Sequence, residues 1–171
     1  MYKVIDKQNL AATITLLKLQ APEIARKVRP GQFVIIRLNE EGERIPLTVN
    51  NFDREAGSIT IVFQELGKTT TLLGRLNAGD SIADLVGRLG RHTDIERFGK
   101  VICIGGGVGT AVIYPITRAL YQAGNEVIGI VGARTRDLLT FTKEMEAVSH
   151  RLIITTDDGS MGRHGLVTDP L

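Results

Sequence analysis

The sequence has no tryptophan, a single cysteine, and aromatic side chains at only 5% of its 171 residues. The lone Cys103 rules out an intrachain disulfide and any metal centre built on a cysteine cluster within these residues. Set inside an apolar strand pattern, it reads as a buried and inert thiol. Long hydrophobic runs are missing as well. The longest uncharged stretch, residues 101–117, is shorter than the ~20 apolar residues that a membrane span takes, and glycines and Pro115 interrupt it. The opening MYKVIDKQN carries no apolar signal region. Nor is there an excess of charge of one sign: 21 Lys and Arg stand against 19 Asp and Glu, interspersed along the chain. No face is marked for nucleic acid, whereas small anionic ligands remain compatible. The three histidines, His92, His150 and His164, lack partners at metal-ligand or triad spacing and read as surface residues. These absences leave the expectation of a soluble, cytoplasmic protein with no membrane span, long enough to bury a real core.

What is present falls into two patterns. Residues 1–98 hold short runs rich in Val, Ile, Leu and Thr, at 2–5, 13–19, 32–38, 45–50, 58–63 and 80–86. Turn formers separate them, among them Pro22, Arg29-Pro30-Gly31, Ala56-Gly57 and Ala78-Gly79-Asp80. Six strands at this spacing predict a small antiparallel barrel, with one short helix over 70–76. Residues 99–171 change period. Strand 101–104, helix 110–123, strand 126–131, helix 136–148 and strand 151–155 alternate, which predicts a parallel, Rossmann-like sheet with right-handed crossovers. Gly124-Asn125 stops the first helix, and GLVTDPL at the end reads as the start of another. With only three parallel strands counted, this nucleotide-type domain looks incomplete, either cut short or completed by a partner, with its first strand open on one edge.

The strongest motif is VICIGGGVGTA, from Val101 to Ala111. An apolar strand running through glycines into a helix lets a phosphate approach bare N–H groups at a helix N-terminus. Counted from Gly105, the dinucleotide fingerprint G-x-G-x-x-G/A finds Thr110 at its last place instead of glycine. Gly106, Gly107, Val108, Gly109 and Thr110 are the candidate contacts, and a turn serving only close packing is the plain alternative. At the end of the next strand, Gly132-Ala133-Arg134-Thr135-Arg136 offers no acid for a ribose. Its arginines can hold a 2′-phosphate, stack on adenine, or simply pair with Asp137, so NAD and NADP both stay open. Thr156-Asp157-Asp158-Gly159 follows the third strand, at the sheet end where open α/β folds bind ligands or make a plain surface turn. In the first half, Arg44, Pro46 and Thr48 share one face of a strand and can point at one ligand, and Pro46 favours an edge; taken alone, these residues read rather as an ordinary edge strand with a solvated arginine. Gly67-Lys68-Thr69-Thr70, after Gln64, is too short for a P-loop, because Val62 stands where its first glycine belongs. What survives is either a pyrophosphate seat at a helix start or simple N-capping.

In combination and order, R-x-P-L-T, G-K-T-T and GGGVGTA resemble the ferredoxin-NADP reductase superfamily. Within it the chain is similar to the small FAD- and NAD-binding subunits of NADH-dependent ferredoxin:NADP oxidoreductase, sulfide dehydrogenase and dihydroorotate dehydrogenase. The resemblance covers the whole chain and implies an FAD-dependent NAD(P)H oxidoreductase. Arg44, Pro46, Leu47 and Thr48 would hold FAD, with Thr48 beside the flavin ring as the catalytic candidate; Gln64 and Gly67 to Thr70 would also contact FAD. The glycine loop, Ala133, Arg134, Asp157, Asp158 and Gly159 would hold NAD(H) or NADP(H). A larger oxidoreductase subunit or ferredoxin would take the electrons onward. A free-standing flavin reductase or diaphorase, and a dinucleotide-binding module without turnover, are the alternatives. Subunits of this kind also carry a [2Fe-2S] centre, whose cysteine ligands are absent from this chain.

Overall fold

Alternation of apolar and polar side chains builds the first part of the chain into strands whose inward residues meet. The computed structural model describes residues 1–171 and divides them into two compact units, Met1–Thr93 and Asp94–Leu171. The first unit contains β1 (Tyr2–Ala11), β2 (Ile14–Gln20), a short α1 (Pro22–Ala25), β3 (Phe33–Arg37), β4 (Arg44–Asp53), β5 (Ser58–Gln64), α2 (Lys68–Gly74), β6 (Ser81–Ile82) and β7 (Asp84–Leu89). These strands form a seven-stranded sheet in the order β6-β1-β2-β5-β4-β3-β7, and each pairing is antiparallel.

The barrel expectation holds, with one correction to its strand count. The run 80–86 is not one strand: it divides at Ala83 into β6 and β7, which lie at opposite edges of the sheet. The Ala83 N–H leaves both ladders and donates to the Leu38 carbonyl at 3.1 Å. The two edges are thereby joined by the chain itself, which draws the sheet towards closure. Val4, Leu17, Leu19, Val34, Ile36, Ile59, Ile61 and Ile82 are fully buried inside it, together with Leu73 from α2. The helix expected at 70–76 starts earlier, at Lys68, and ends at Gly74.

The second unit contains β8 (Lys100–Gly106), α3 (Gly109–Gln122), β9 (Glu126–Ala133), α4 (Thr142–Ala147), β10 (Arg151–Thr156) and β11 (Arg163–His164). Its strands form a parallel sheet in the order β11-β10-β9-β8. Cys103, Leu120 and Val127 pack together, with Val101, Ile113 and Ile116 against them. Gly124-Asn125 stops α3 as expected. The buried Asn125 donates to the carbonyls of Leu120 and Glu96 at 2.8 Å each and accepts from the N–H groups of Phe98 and Gly99. One amide thus closes the helix and fixes the entry to β8.

Three expectations for this unit change. The helix expected at 136–148 is a 3-10 turn, Arg136–Leu138, followed by the separate α4, because Phe141 adopts a left-handed conformation (φ 58) at its start. There the Phe141 ring packs on Tyr114 at 5.4 Å. GLVTDPL forms turns instead of a helix, with the Asp169 carboxylate accepting from the Leu166 N–H at 2.8 Å. The sheet has a fourth strand, the short β11, beside β10. β8 pairs only with β9, so its other edge is open as expected. No helix of the chain is long and apolar enough to cross a membrane.

Candidate functional site

In the first unit the candidate residues gather on β4 and at the start of α2. Along β4, Ile45 and Leu47 pack against the core, whereas Arg44 and Pro46 are exposed and Thr48 is half-buried. The alternation places Arg44, Pro46 and Thr48 on one outward face. Residues 44–48 pair with β3 alone, since β5 joins β4 only from Val49 onward, past a bulge. Pro46, which has no N–H to give, therefore lies where β4 has a free edge. The Arg44 guanidinium has no ion pair and the Thr48 hydroxyl no hydrogen bond within the chain. Leu47 points the other way, its partly buried side chain packed against the core.

The Gly67-to-Thr70 segment lies against the start of β4, although the sequence separates the two. Thr69 Oγ1 donates to Glu43 Oε2 at 2.8 Å. Leu38, Asn39, Glu41, Gly42, Glu43, Lys68, Thr69 and Leu72 line one cleft of about 310 Å³. Thr70 performs the capping: its Oγ1 accepts from the N–H groups of Gly67 at 3.0 Å and Leu66 at 3.2 Å. Both functions of this segment are thus compatible, since Thr70 caps while Lys68 stays exposed. Gln64, at the end of β5, donates to Thr13 Oγ1 at 3.3 Å, which turns it towards the β1–β2 turn. The contact of Glu43 is not legible in sequence, since nothing in its local pattern announces that a residue 26 positions later bonds to it.

In the second unit β8, β9 and β10 end level, with Gly106 opposite Gly132 and Thr156 opposite Ala133. The glycines of the loop differ in what they do. A Cβ on Gly105 would stand 2.7 Å from Thr110 Cα, so that glycine is there for close strand–helix packing. Gly107 has a positive φ of +55, and a Cβ on it or on Gly109 would meet nothing within 4 Å. These two leave open space above bare backbone at the N-terminus of α3, whose first turn holds no acidic side chain. That is the cradle a phosphate needs.

Thr110, the departure from the strict fingerprint, is buried, and its hydroxyl donates to the Gly105 carbonyl at 3.1 Å. Its hydroxyl thereby ties the start of α3 to the end of β8. On the flanks of β9, the Gly107 N–H donates to Gly132 O at 2.7 Å, and the N–H groups of Asp157 and Asp158 donate to the carbonyls of Ala133 and Arg134 at 3.1 and 3.2 Å. Arg134 and Arg136 are exposed without ion pairs, and neither joins Asp137. Ser160, in the turn that follows β10, links the loops: its Oγ accepts from the Arg136 N–H at 2.8 Å and donates to Asp158 Oδ1 at 2.6 Å. The Ser160 hydroxyl and N–H hold the exposed Asp158 carboxyl below its ordinary pKa. Gly159 takes φ +73 beside His164. Val108 stands at the start of α3, half-buried.

No protein-family model matches the chain. Over 99% of its length it is 44% identical to a homolog of the electron transfer subunit of dihydroorotate dehydrogenase B (NAD(+)) from Thermotoga maritima, covering 60% of that protein. The corresponding subunit from Desulforamulus reducens is 30% identical over 99% of this chain and 68% of its own length. The chain belongs to this electron-transfer-subunit family of the ferredoxin-NADP reductase superfamily. A solved structure described as the NADH-dependent reduced ferredoxin-NADP oxidoreductase, in work on flavin-based electron bifurcation, matches 99% of the chain and 61% of its own with a TM-score of 0.95 at 42% identity. The chain spans about 60% of the length of the first of these relatives. Cys103 is buried on β8, and no group of three or more metal-ligating side chains gathers in the chain.

Proposed function

We propose that this family member passes hydride between NAD(P)H and FAD, for onward delivery to a larger oxidoreductase subunit or ferredoxin. The observation that carries the reading is the glycine loop of the second unit, where Gly107 and Gly109 keep open space over the backbone at the carboxyl end of a parallel strand. Family membership supplies its partner in the first unit. There Arg44 and Lys68 would face the FAD pyrophosphate, and Thr48 would offer its unbonded hydroxyl to the flavin edge. When bound, FAD supplies the hydride-accepting chemistry; the chain orients, neutralises phosphate charge and gives hydrogen bonds. No side chain here has to act as nucleophile, acid or base.

The test is the colour of the purified protein. FAD reconstitution is expected to give a yellow protein whose flavin absorbance bleaches anaerobically on adding NADH or NADPH. Arg44→Ala weakens FAD retention and His164→Ala does not. A colourless protein that takes up no FAD would falsify the reading. Rapid turnover with a soluble acceptor in the absence of any partner would instead favour the free-standing reductase, which the lone cysteine also favours.

A further inference from the structure

We propose that the first unit holds a further ligand site, a polar cleft at one mouth of the barrel that takes a small zwitterion of the α-amino acid kind. Its basis lies in the strand pattern. Residues directly opposite one another across β1, β2 and β5 share one side of the sheet, and in alternate rows that side faces inward. The row of Val4, Leu19 and Ile59 is wholly apolar and fully buried. The next inward row sets Lys7 beside Leu17 and Ile61, and the one after it sets Asn9 and Thr15 beside Phe63. Glu65 follows β5 at the same end, its N–H donating to Thr13 O at 2.8 Å. Inward positions of a small barrel are normally filled by apolar side chains, so polar ones gathered at one end point to a task other than packing.

That end is open. Lys7, Asn9, Ala12, Thr15, Glu65 and Gly74 border a cleft of about 480 Å³. Thr15 is only 1% exposed, and its hydroxyl donates to Glu65 Oε1 at 2.6 Å. A Cβ on Gly74 would collide with the Glu65 carboxylate, so α2 ends in the one residue type that lets this group lie against it. The carboxylate is thus held in place while its Oε2 has no partner. Lys7 donates to Gly74 O, which leaves two of its three ammonium N–H groups unused. Lys7 and Glu65 therefore line one cleft with opposite charges and make no ion pair with each other. A molecule that brings an ammonium to Oε2 and a carboxylate to Lys7 satisfies both, and the Asn9 amide adds a donor for the carboxylate. A ligand of one charge would leave the other side chain unmet. The cleft opens from the inward side of the strands at a barrel mouth, a usual place for a ligand, whereas Arg44, Pro46 and Thr48 stand on an outward face of β4. The two sites are separate.

The experiment titrates the full chain with L-alanine, propionate and ethylammonium, which share one carbon skeleton and differ in charge, and follows the backbone amides by NMR. Alanine is expected to shift the amides of residues 7–15, Glu65 and Gly74 with a Kd of about 1 mM, roughly tenfold tighter than either singly charged analogue. Lys7→Met is expected to weaken alanine and propionate about tenfold and to spare ethylammonium, while Glu65→Gln weakens alanine and ethylammonium and spares propionate. Both side chains also brace the fold, through Gly74 and Thr15. A third variant therefore leaves every charge in place: Ala12→Leu, at an exposed turn position, fills the cleft and is expected to abolish alanine binding at an unchanged melting temperature. Propionate or ethylammonium binding as tightly as alanine overturns the zwitterion site, as do alanine shifts that Ala12→Leu leaves alone. So does the absence of any alanine shift at these residues in the wild-type chain.

Discussion

Cys103 sits on β8 beneath α3, and desolvation pushes its thiol pKa up, with a Thr117 hydrogen bond opposing only in part. Since the thiolate is the reactive form, the folded protein is expected to react with a disulfide reagent at pH 7 far more slowly than the same protein in denaturant. Equal rates in the two states would show that the strand is open to solvent. Asp158 behaves in the opposite sense. Its folded pKa lies below the unfolded value, so the stabilisation it gives the 157–161 loop is present above the ordinary Asp value of about 3.9 and is lost as pH falls through the lowered folded one. The Ser160 amide signal should therefore titrate below that value in wild type. In Ser160→Ala the midpoint at the Asp158 carboxylate should move up; a midpoint that stays in place would mean that other groups hold the carboxylate.

At the scale of elements, the two kinds of glycine in one loop separate stability from binding. Gly105→Ala puts a methyl 2.7 Å from Thr110 Cα and 2.9 Å from Ile113, forcing α3 off β8. The expected cost is about 1–3 kcal/mol, read as a lower melting temperature. Gly107→Ala meets nothing within 4 Å and bears only the penalty of its positive φ, roughly 1 kcal/mol. It should leave the fold in place and weaken dinucleotide binding about tenfold or more, because its methyl occupies the space left for phosphate.

Strands of this kind were legible from sequence because β-branched runs between turn formers report local geometry. The division of 80–86 was not, since both halves are equally apolar and only the Leu38 carbonyl across the sheet decides where the chain leaves one edge. The break before α4 was hidden for a similar reason: Phe141 fits a helical pattern until its ring meets Tyr114. Of the site, the order of motifs could be read, but not the side chains that turn inward. Thr110 satisfies a carbonyl of the strand before it, and Leu47 joins the core. The bridging role of Ser160 is not legible, because a serine in a turn carries no signal of which loop it will bond.

For the whole molecule, each of the two units carries its own candidate site, and this separates the ligands. Hydrogen exchange followed along the chain is expected to show FAD slowing amides of β4 and of the Gly67–Thr70 segment, and NAD(H) slowing Gly107–Thr110 and Arg134–Ser160. Protection by NAD(H) confined to the first unit would contradict the assignment of sites to units.

The junction at Ala83 has a consequence during synthesis. The last ladders of the first unit pair Tyr2–Lys3 with Ser81–Ile82 and β3 with β7, so the earliest residues made wait for some of the latest. The sheet cannot be completed until the chain has grown past Leu89, and the pairing of β1 with β6 spans nearly the entire unit. Until then β1 to β5 emerge as a ribbon with unpaired N–H and C=O rows on both margins, the state in which such a sheet most readily joins its neighbours. Pairing of these edge strands is thus expected to be the slow step in folding of the unit, set by the placement of one alanine.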